Sequence, residues 1–211
     1  VVKEIENGYF DRCGITAIQL LPVNEFSGEN GWGYNGTYFY AIENGFGGPD
    51  ALKRFVDTCH SNGIAVILDA VFNHIGVQDN ILYEASRDTY SKGDSQWGLI
   101  PNYDDEQCCE YFRESLVYLH ENYRIDGYRF DHTRTIIKAG EQDWFVRRPG
   151  SKRGWDFLHG VRGAVKKANA GIFMYGEHLP SEPPVSNFGG PMDSQTCQEY
   201  KEEIYKVCKG E

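Results

Sequence analysis

Four short apolar runs recur along this chain, each separated from the next by a stretch of helical periodicity and each ending in polar residues. They are Ile15–Leu21, Ile64–Leu68, the run around Gly127–Phe130, and Ile172–Tyr175. Runs of this length and composition read as strands. Between them, Leu52, Phe55, Val56 and Cys59 share one face of a helix opened by Pro49-Asp50 and stopped at Asn62-Gly63. A second helix is expected near Gln107–Tyr123, with Phe112, Leu116 and Leu119 on its buried stripe, and a third over Trp155–Ala168, ending at Gly171. Alternation of strand and helix is the grammar of parallel βαβ units. Ile15–Leu21 reads as a buried strand, and Ile64–Leu68, apolar on both faces, as a strand covered by helices on each side.

No Gly-x-Gly-x-x-Gly follows the first run, so a doubly wound dinucleotide-binding sheet fits less well than a (β/α)8 barrel. A barrel needs eight strands and typically about 250 residues. The expectation is therefore a partial (β/α)8 barrel of class α/β, with residues 1–211 forming part of one domain.

In such folds chemistry gathers at the carboxyl ends of the strands. In Gly127-Tyr128-Arg129-Phe130-Asp131 the two charges project from one strand face, while Tyr128 and Phe130 point the other way. An isolated Arg-x-Asp is more often an ordinary salt bridge closing a strand. Here two other strand ends add Asp69, Asn73 and His74, and Glu177 and His178. A guanidinium beside Asp131 keeps it charged, as a nucleophile needs, and a second carboxylate repelled by Asp131 is biased towards its protonated form. The glycine- and aromatic-rich stretch from Phe26 to Pro49 reads as a long structured loop. Gly76–Tyr103 reads as a long polar loop with no assignable chemistry. Arg147-Arg148 and Lys152-Arg153 read as solvated loop.

Acidic residues exceed basic ones by 31 to 21, for a net charge of -10, which disfavours nucleic acid and anionic membrane as partners. No apolar run approaches the roughly 20 residues of a spanning helix. The six cysteines lack Cys-x-x-Cys spacing, so a reduced, cytoplasmic setting is expected and thiol-bound metal is not. The chain begins with Val1 and shows no signal peptide, which leads us to expect a processed or truncated chain.

Three signatures in order give the chain a family resemblance. Asp69-Ala70-Val71-Phe72-Asn73-His74, Gly127-Tyr128-Arg129-Phe130-Asp131 and Gly176-Glu177-His178 resemble the motifs on the third, fourth and fifth strands of the α-amylase superfamily of retaining α-glycoside hydrolases and transglycosidases. Leu21-Pro22-Val23-Asn24-Glu25-Phe26 with Gly31-Trp32-Gly33-Tyr34-Asn35-Gly36 is most similar to branching enzymes and maltooligosyl-trehalose trehalohydrolases, and Met192-Asp193-Ser194-Gln195 resembles the stretch entering their sixth strand. The resemblance implies about strands two to five of the barrel with their helices and long βα loops.

Carried over position by position, it implies Asp131 as catalytic nucleophile, Glu177 as general acid/base and Arg129 as the guanidinium beside the nucleophile. It implies Tyr34, Asp69, Asn73 and His74 around the reacting sugar, and counts His132 and His178 with the substrate-binding residues. The substrate implied is an α-glucan or maltooligosaccharide. Branching is placed ahead of trehalose-releasing hydrolysis, with a non-catalytic amylase-like scaffold as the rival of another class. No cofactor and no metal are expected, and oligomeric state is left open. Two departures stand out. No His-Asp dipeptide, the family's last catalytic motif, occurs in the chain, and His132 follows the nucleophile where many members carry a small residue.

Overall fold

The computed structural model of the chain describes residues 1–28, 30–137, 153–181, 183–186 and 189–209. Its strands are β1 (Ala17–Leu20), β2 (Asn24–Phe26), β3 (Gly36–Ile42), β4 (Ala65–Ala70), β5 (Ser91–Asp94), β6 (Leu99–Pro101), β7 (Gly127–Phe130), β8 (Phe173–Gly176) and β9 (Ser194–Gln195). Five of them form one parallel sheet in the order β1-β4-β7-β8-β9. Helices Gly48–Ser61, Glu106–Tyr123 and Gly154–Ala168 make the crossovers between the first four. The expected parallel α/β architecture is present, and the Met192–Gln195 stretch supplies a fifth strand that the apolar pattern alone did not reveal.

Local chemistry explains the helix limits. Gly47, at φ 102°, and Pro49 open the first long helix, and Asn62 with Gly63, at φ 70°, closes it. Asp105 caps the second by accepting from the Gln107 amide at 2.9 Å. The three helices pack in series and share one core with one face of the sheet. Val66, Leu68, Tyr128, Phe130 and Met174 come from the strands, and Phe112, Leu116, Phe157, Leu158 and Val161 from the helices. Tyr128 is fully buried, so its hydroxyl needs a partner, and it donates to the Leu116 carbonyl at 2.7 Å.

Register sets the opposite face. Asp69 pairs with Arg129, and Arg129 with Tyr175, so these three side chains form one row across β4, β7 and β8. That row stands near the carboxyl ends of the strands, where the site is found.

Three expectations are corrected. Ile15–Leu21 is not a buried strand: β1 is the sheet's edge, and Ile15 and Leu21 are 39% and 50% exposed. β4 is covered by helices on a single face, and Ile67, on the other, is half-buried. The stretches expected to be loops carry structure of their own, an antiparallel pair β2-β3 and a second pair β5-β6. Arg147, Arg148 and Lys152 lie outside the described residues.

Candidate active site

The ends of β7 and β8 are laced together by backbone hydrogen bonds. Glu177 donates its amide to the Phe130 carbonyl at 2.8 Å, and Thr133 donates to the Glu177 carbonyl at 2.9 Å. On the other side, the Asp131 amide donates to the Ala70 carbonyl at 3.1 Å. Three strand ends are thus held level, and Asp131 and Glu177 stand at the mouth of the same sheet.

One guanidinium joins the acidic residues collected there. Arg129 Nη1 donates to Asp69 Oδ1 at 2.8 Å, to Asp69 Oδ2 at 2.6 Å and to Asp131 Oδ1 at 2.8 Å. Its Nη2 lies 2.7 Å from Glu177 Oε2. Each carboxylate also has one further donor. The Tyr34 hydroxyl donates to Asp69 Oδ2 at 2.9 Å, Asn73 Nδ2 to Asp131 Oδ2 at 2.6 Å, and the His132 amide to Glu177 Oε2 at 3.1 Å. The guanidinium and these donors compensate the charge of carboxylates gathered this closely. His132 adopts φ 42°, a left-handed backbone that turns its amide towards Glu177.

Burial and charge act in opposite senses on these groups. Burial would lower the Arg129 pKa, but hydrogen bonding to Asp69 and the charges of Asp69, Asp131 and Glu177 override it and raise it, so the side chain stays protonated. Burial raises Asp69, whose side chain is 0% exposed, while Arg129 and Tyr34 oppose the rise. Burial first, then Asp69, pushes the Tyr34 phenol up to about 12, leaving it a donor. Burial lowers His74 to about 4, with a further push from His132, so its imidazole is neutral near pH 7.

A hollow of about 290 Å³ opens above this cluster. Tyr34, Asn73, His74, Asp131, His132 and Glu177 line it, and Asn35 and Trp97 complete the wall. Asp69 lies beneath, reaching the hollow only through Arg129 and Tyr34. Asn73 is fully engaged, donating to Asp131 and pairing through Oδ1 with His74 Nδ1. His178 is the residue the structure does not bring to the hollow. It is 0% exposed and pairs through Nδ1 with Thr133 Oγ1 at 3.1 Å. The alternation at the end of β8 turns it inward, so it supports the Thr133 turn rather than meeting a ligand.

Trp97 was not legible as a site residue, because its stretch is polar and irregular. The available signal was Trp97-Gly98 between turn-forming residues. A Cβ on Gly98 would stand 2.3 Å from the Ile75 carbonyl, so only glycine lets this turn press against the segment after His74. A larger cavity of about 710 Å³ lies elsewhere, between β1 and helix Gly48–Ser61. Its lining, with Val23, Ile42, Leu52 and Phe55, is apolar apart from Lys3 and brings no carboxylate or imidazole. Among the described residues no group of three His, Cys, Asp or Glu side chains could hold a metal ion. No described helix is long and apolar enough to cross a membrane.

Comparison with known proteins finds relatives in one family. Residues 6–100 match the family model described as alpha amylase, catalytic domain. The malto-oligosyltrehalose trehalohydrolase of Saccharolobus solfataricus is 35% identical over 65% of this chain and 25% of its own length. The 1,4-alpha-glucan branching enzyme GlgB of Nitrosococcus oceani is 31% identical over 85% of this chain and 26% of its own length. The chain thus spans about a quarter of the length of these curated relatives. The solved structure of an Anoxybacillus alpha-amylase superposes with a TM-score of 0.77 over 98% of this chain and 45% of that one, at 24% identity, a likeness of fold. The family match and the curated relatives together make this chain a member of the α-amylase superfamily.

Proposed function

We propose that the protein carrying this chain is a retaining glycosidase or transglycosidase acting on α-glucans or maltooligosaccharides, with residues 1–211 forming part of its catalytic barrel. The observation that carries this reading is the single guanidinium of Arg129 shared by Asp131 and Glu177 beside an open hollow. Two carboxylates held on one fork support the short separation, about 5 to 5.5 Å, at which a covalent glycosyl-enzyme forms. Inversion needs a wider gap with room for a water.

In the first step Asp131 attacks the anomeric carbon while Glu177 gives its proton to the departing glycosidic oxygen. In the second, Glu177 takes a proton from the incoming hydroxyl, and the bond to Asp131 breaks. Arg129 fixes both carboxylates, and neutral His74 is suited to hydrogen-bond a sugar hydroxyl without adding charge. Tyr34 and Asn73 shape the donor side, and Asp69 orients Arg129 and Tyr34 from below.

Branching remains our first reading of the overall reaction, supported by the longer alignment to the branching enzyme. The higher identity to trehalohydrolases supports hydrolysis as the second. A cytoplasmic site of action fits the six cysteines, none of them in a disulfide among the described residues and three of them buried. The test is a pair of variants of the whole protein assayed on amylose and maltooligosaccharides. Asp131→Asn is expected to abolish turnover, since an amide cannot form the glycosyl ester. Glu177→Gln is expected to act only on substrates whose leaving group needs no proton. Wild-type activity in both variants would refute the roles given to Asp131 and Glu177, and no activity in the native protein would leave the non-catalytic scaffold as the better reading.

A further inference from the structure

A buried hydroxyl beside the acidic cluster has no task in the catalytic reading, that of Thr135 in helix Thr133–Ile137. Its Oγ1 pairs with His132 Nδ1, and its amide donates to the His132 carbonyl at 3.0 Å. Side chain and main chain of Thr135 thus close one tight turn on His132.

That turn has an unusual backbone. His132 sits at φ 42°, and a residue with a side chain stays in this left-handed region only where its surroundings fix it. The His132 ring has two anchors, Thr135 Oγ1 on its Nδ1 and the Trp97 indole at 5.3 Å between centroids.

What the turn presents is an amide, and Glu177 receives it. Thr133 donates its amide and its hydroxyl to the Glu177 carbonyl at 2.9 and 3.0 Å, which fixes the main chain of Glu177. Gly176 permits this approach, since a Cβ there would stand 3.1 Å from both Thr133 Oγ1 and Thr133 Cγ2. The side chain is fixed separately, with the His132 amide at 3.1 Å and Arg129 Nη2 at 2.7 Å on the same oxygen, Oε2. With Oε2 taken by two donors, Oε1 is the oxygen left to carry a proton.

We propose that Thr135 is a positioning residue for the proton donor: by anchoring the His132 ring it keeps the left-handed turn whose amide holds Glu177 Oε2. This rests on the glycosidase reading above and deepens it. In the step concerned Asp131 attacks the anomeric carbon, the bond to the glycosidic oxygen breaks with its electron pair on that oxygen, and the oxygen takes the Glu177 proton. With a fluoride leaving group the pair departs on fluoride, which needs no proton. A donor held at the wrong angle therefore slows the first kind of substrate and spares the second.

The experiment uses the whole protein and measures kcat/KM on maltooligosaccharides and on α-glucosyl fluoride, because this quantity reports the steps up to departure of the leaving group. Thr135→Val keeps the shape and removes the hydroxyl. It is expected to lower the maltooligosaccharide value about tenfold, part of the roughly 10² to 10⁴ that general acid catalysis supplies, and to leave the fluoride value within about threefold. Thr135→Ser, which keeps the hydroxyl, is expected to recover the wild-type ratio of the two. His132→Phe keeps a ring against Trp97 but offers Thr135 no nitrogen, so the ratio should fall there as well, which covers the case in which the valine variant does not fold. Both values falling alike or neither changing in a folded variant, or a serine variant no better than valine, would overturn the assignment, while wild-type turnover leaves the glycosidase reading intact. A wild type that cleaves no maltooligosaccharide would overturn that reading, and this one with it.

Discussion

Arg129 and Glu177 are joined by an ion pair, Nη2 to Oε2 at 2.7 Å, on the same guanidinium that holds Asp131. The sequence placed Arg129 beside the nucleophile only. Because Oε2 also accepts the His132 amide, both donors fall on one oxygen of Glu177. On the proposed mechanism, the proton offered to a leaving group is then carried by Oε1.

Arg129→Lys tests whether this sharing matters. A lysine ammonium is a point charge and cannot span three carboxylates in a fixed fork. Loss of one preorganised charge contact in an enclosed site typically costs on the order of 10² to 10³ in rate. The expected result is a fall of that size in kcat on maltooligosaccharides with a far smaller change in KM. A kcat within threefold of wild type would show that bridging is not needed.

His74 gives the region an acid-sensitive stability. Its folded-state pKa is lowered by burial from 6.5 to about 4. Above pH 6.5 the imidazole is neutral folded and unfolded. Below it the unfolded chain takes up a proton that the folded one refuses, so stability is lost as pH falls from about 6.5 towards 4. Between pH 7 and 5 this amounts to roughly 2 kcal/mol. Urea midpoints at the two pH values should differ accordingly in wild type and much less in His74→Gln. An equal acid loss in both would assign the sensitivity elsewhere.

Gly33 is required by two independent facts. It has φ 87°, and an added Cβ would stand 2.1 Å from the Pro22 carbonyl oxygen. Gly33→Ala must move the backbone beside Tyr34, at a cost of about 1 to 3 kcal/mol. A fall of several degrees in Tm, with weaker maltooligosaccharide binding, is expected. Unchanged stability would mean that the loop relaxes freely.

How far the sequence could be read follows from which forces decide each part. β4, β7 and β8 were legible because short apolar runs end there in polar residues, as were the helices with glycine and proline punctuation. β1 was misread because an apolar run does not reveal whether a strand has neighbours on both sides. β9, only Ser194–Gln195, carries no apolar signal, and its pairing to β8 is tertiary. The same holds in the site. Asp131, Glu177 and Arg129 sit at strand ends that register brings level, whereas Trp97 reaches the hollow through a turn whose fit depends on Gly98 packing against Ile75. His178 adjoins Glu177 in sequence, yet strand alternation sends it the other way.

The 211-residue chain on its own is expected to self-associate and to show little or no glycosidase activity. β1 leaves one strand edge unpaired in the sheet, and helix Gln198–Lys209 exposes Tyr200, Ile204, Tyr205 and Val207. Open edges and apolar patches of this kind drive association. Absence of a His-Asp pair removes a charge the family uses at the transition state. Light scattering should find aggregates, reduced by Ile204→Lys with Val207→Lys. A monomeric, active 211-residue preparation would contradict both expectations.

The central claim, that Asp131 forms a covalent bond to the sugar, is tested most directly by mass spectrometry of the whole protein after reaction with a slow-turnover fluorinated glucosyl fluoride. The account predicts a mass increase of one fluoroglucosyl group, mapped by peptide digestion to Asp131 and absent from Asp131→Asn. Turnover of the same donor with no adduct, or an adduct on Glu177 or another residue, would contradict it.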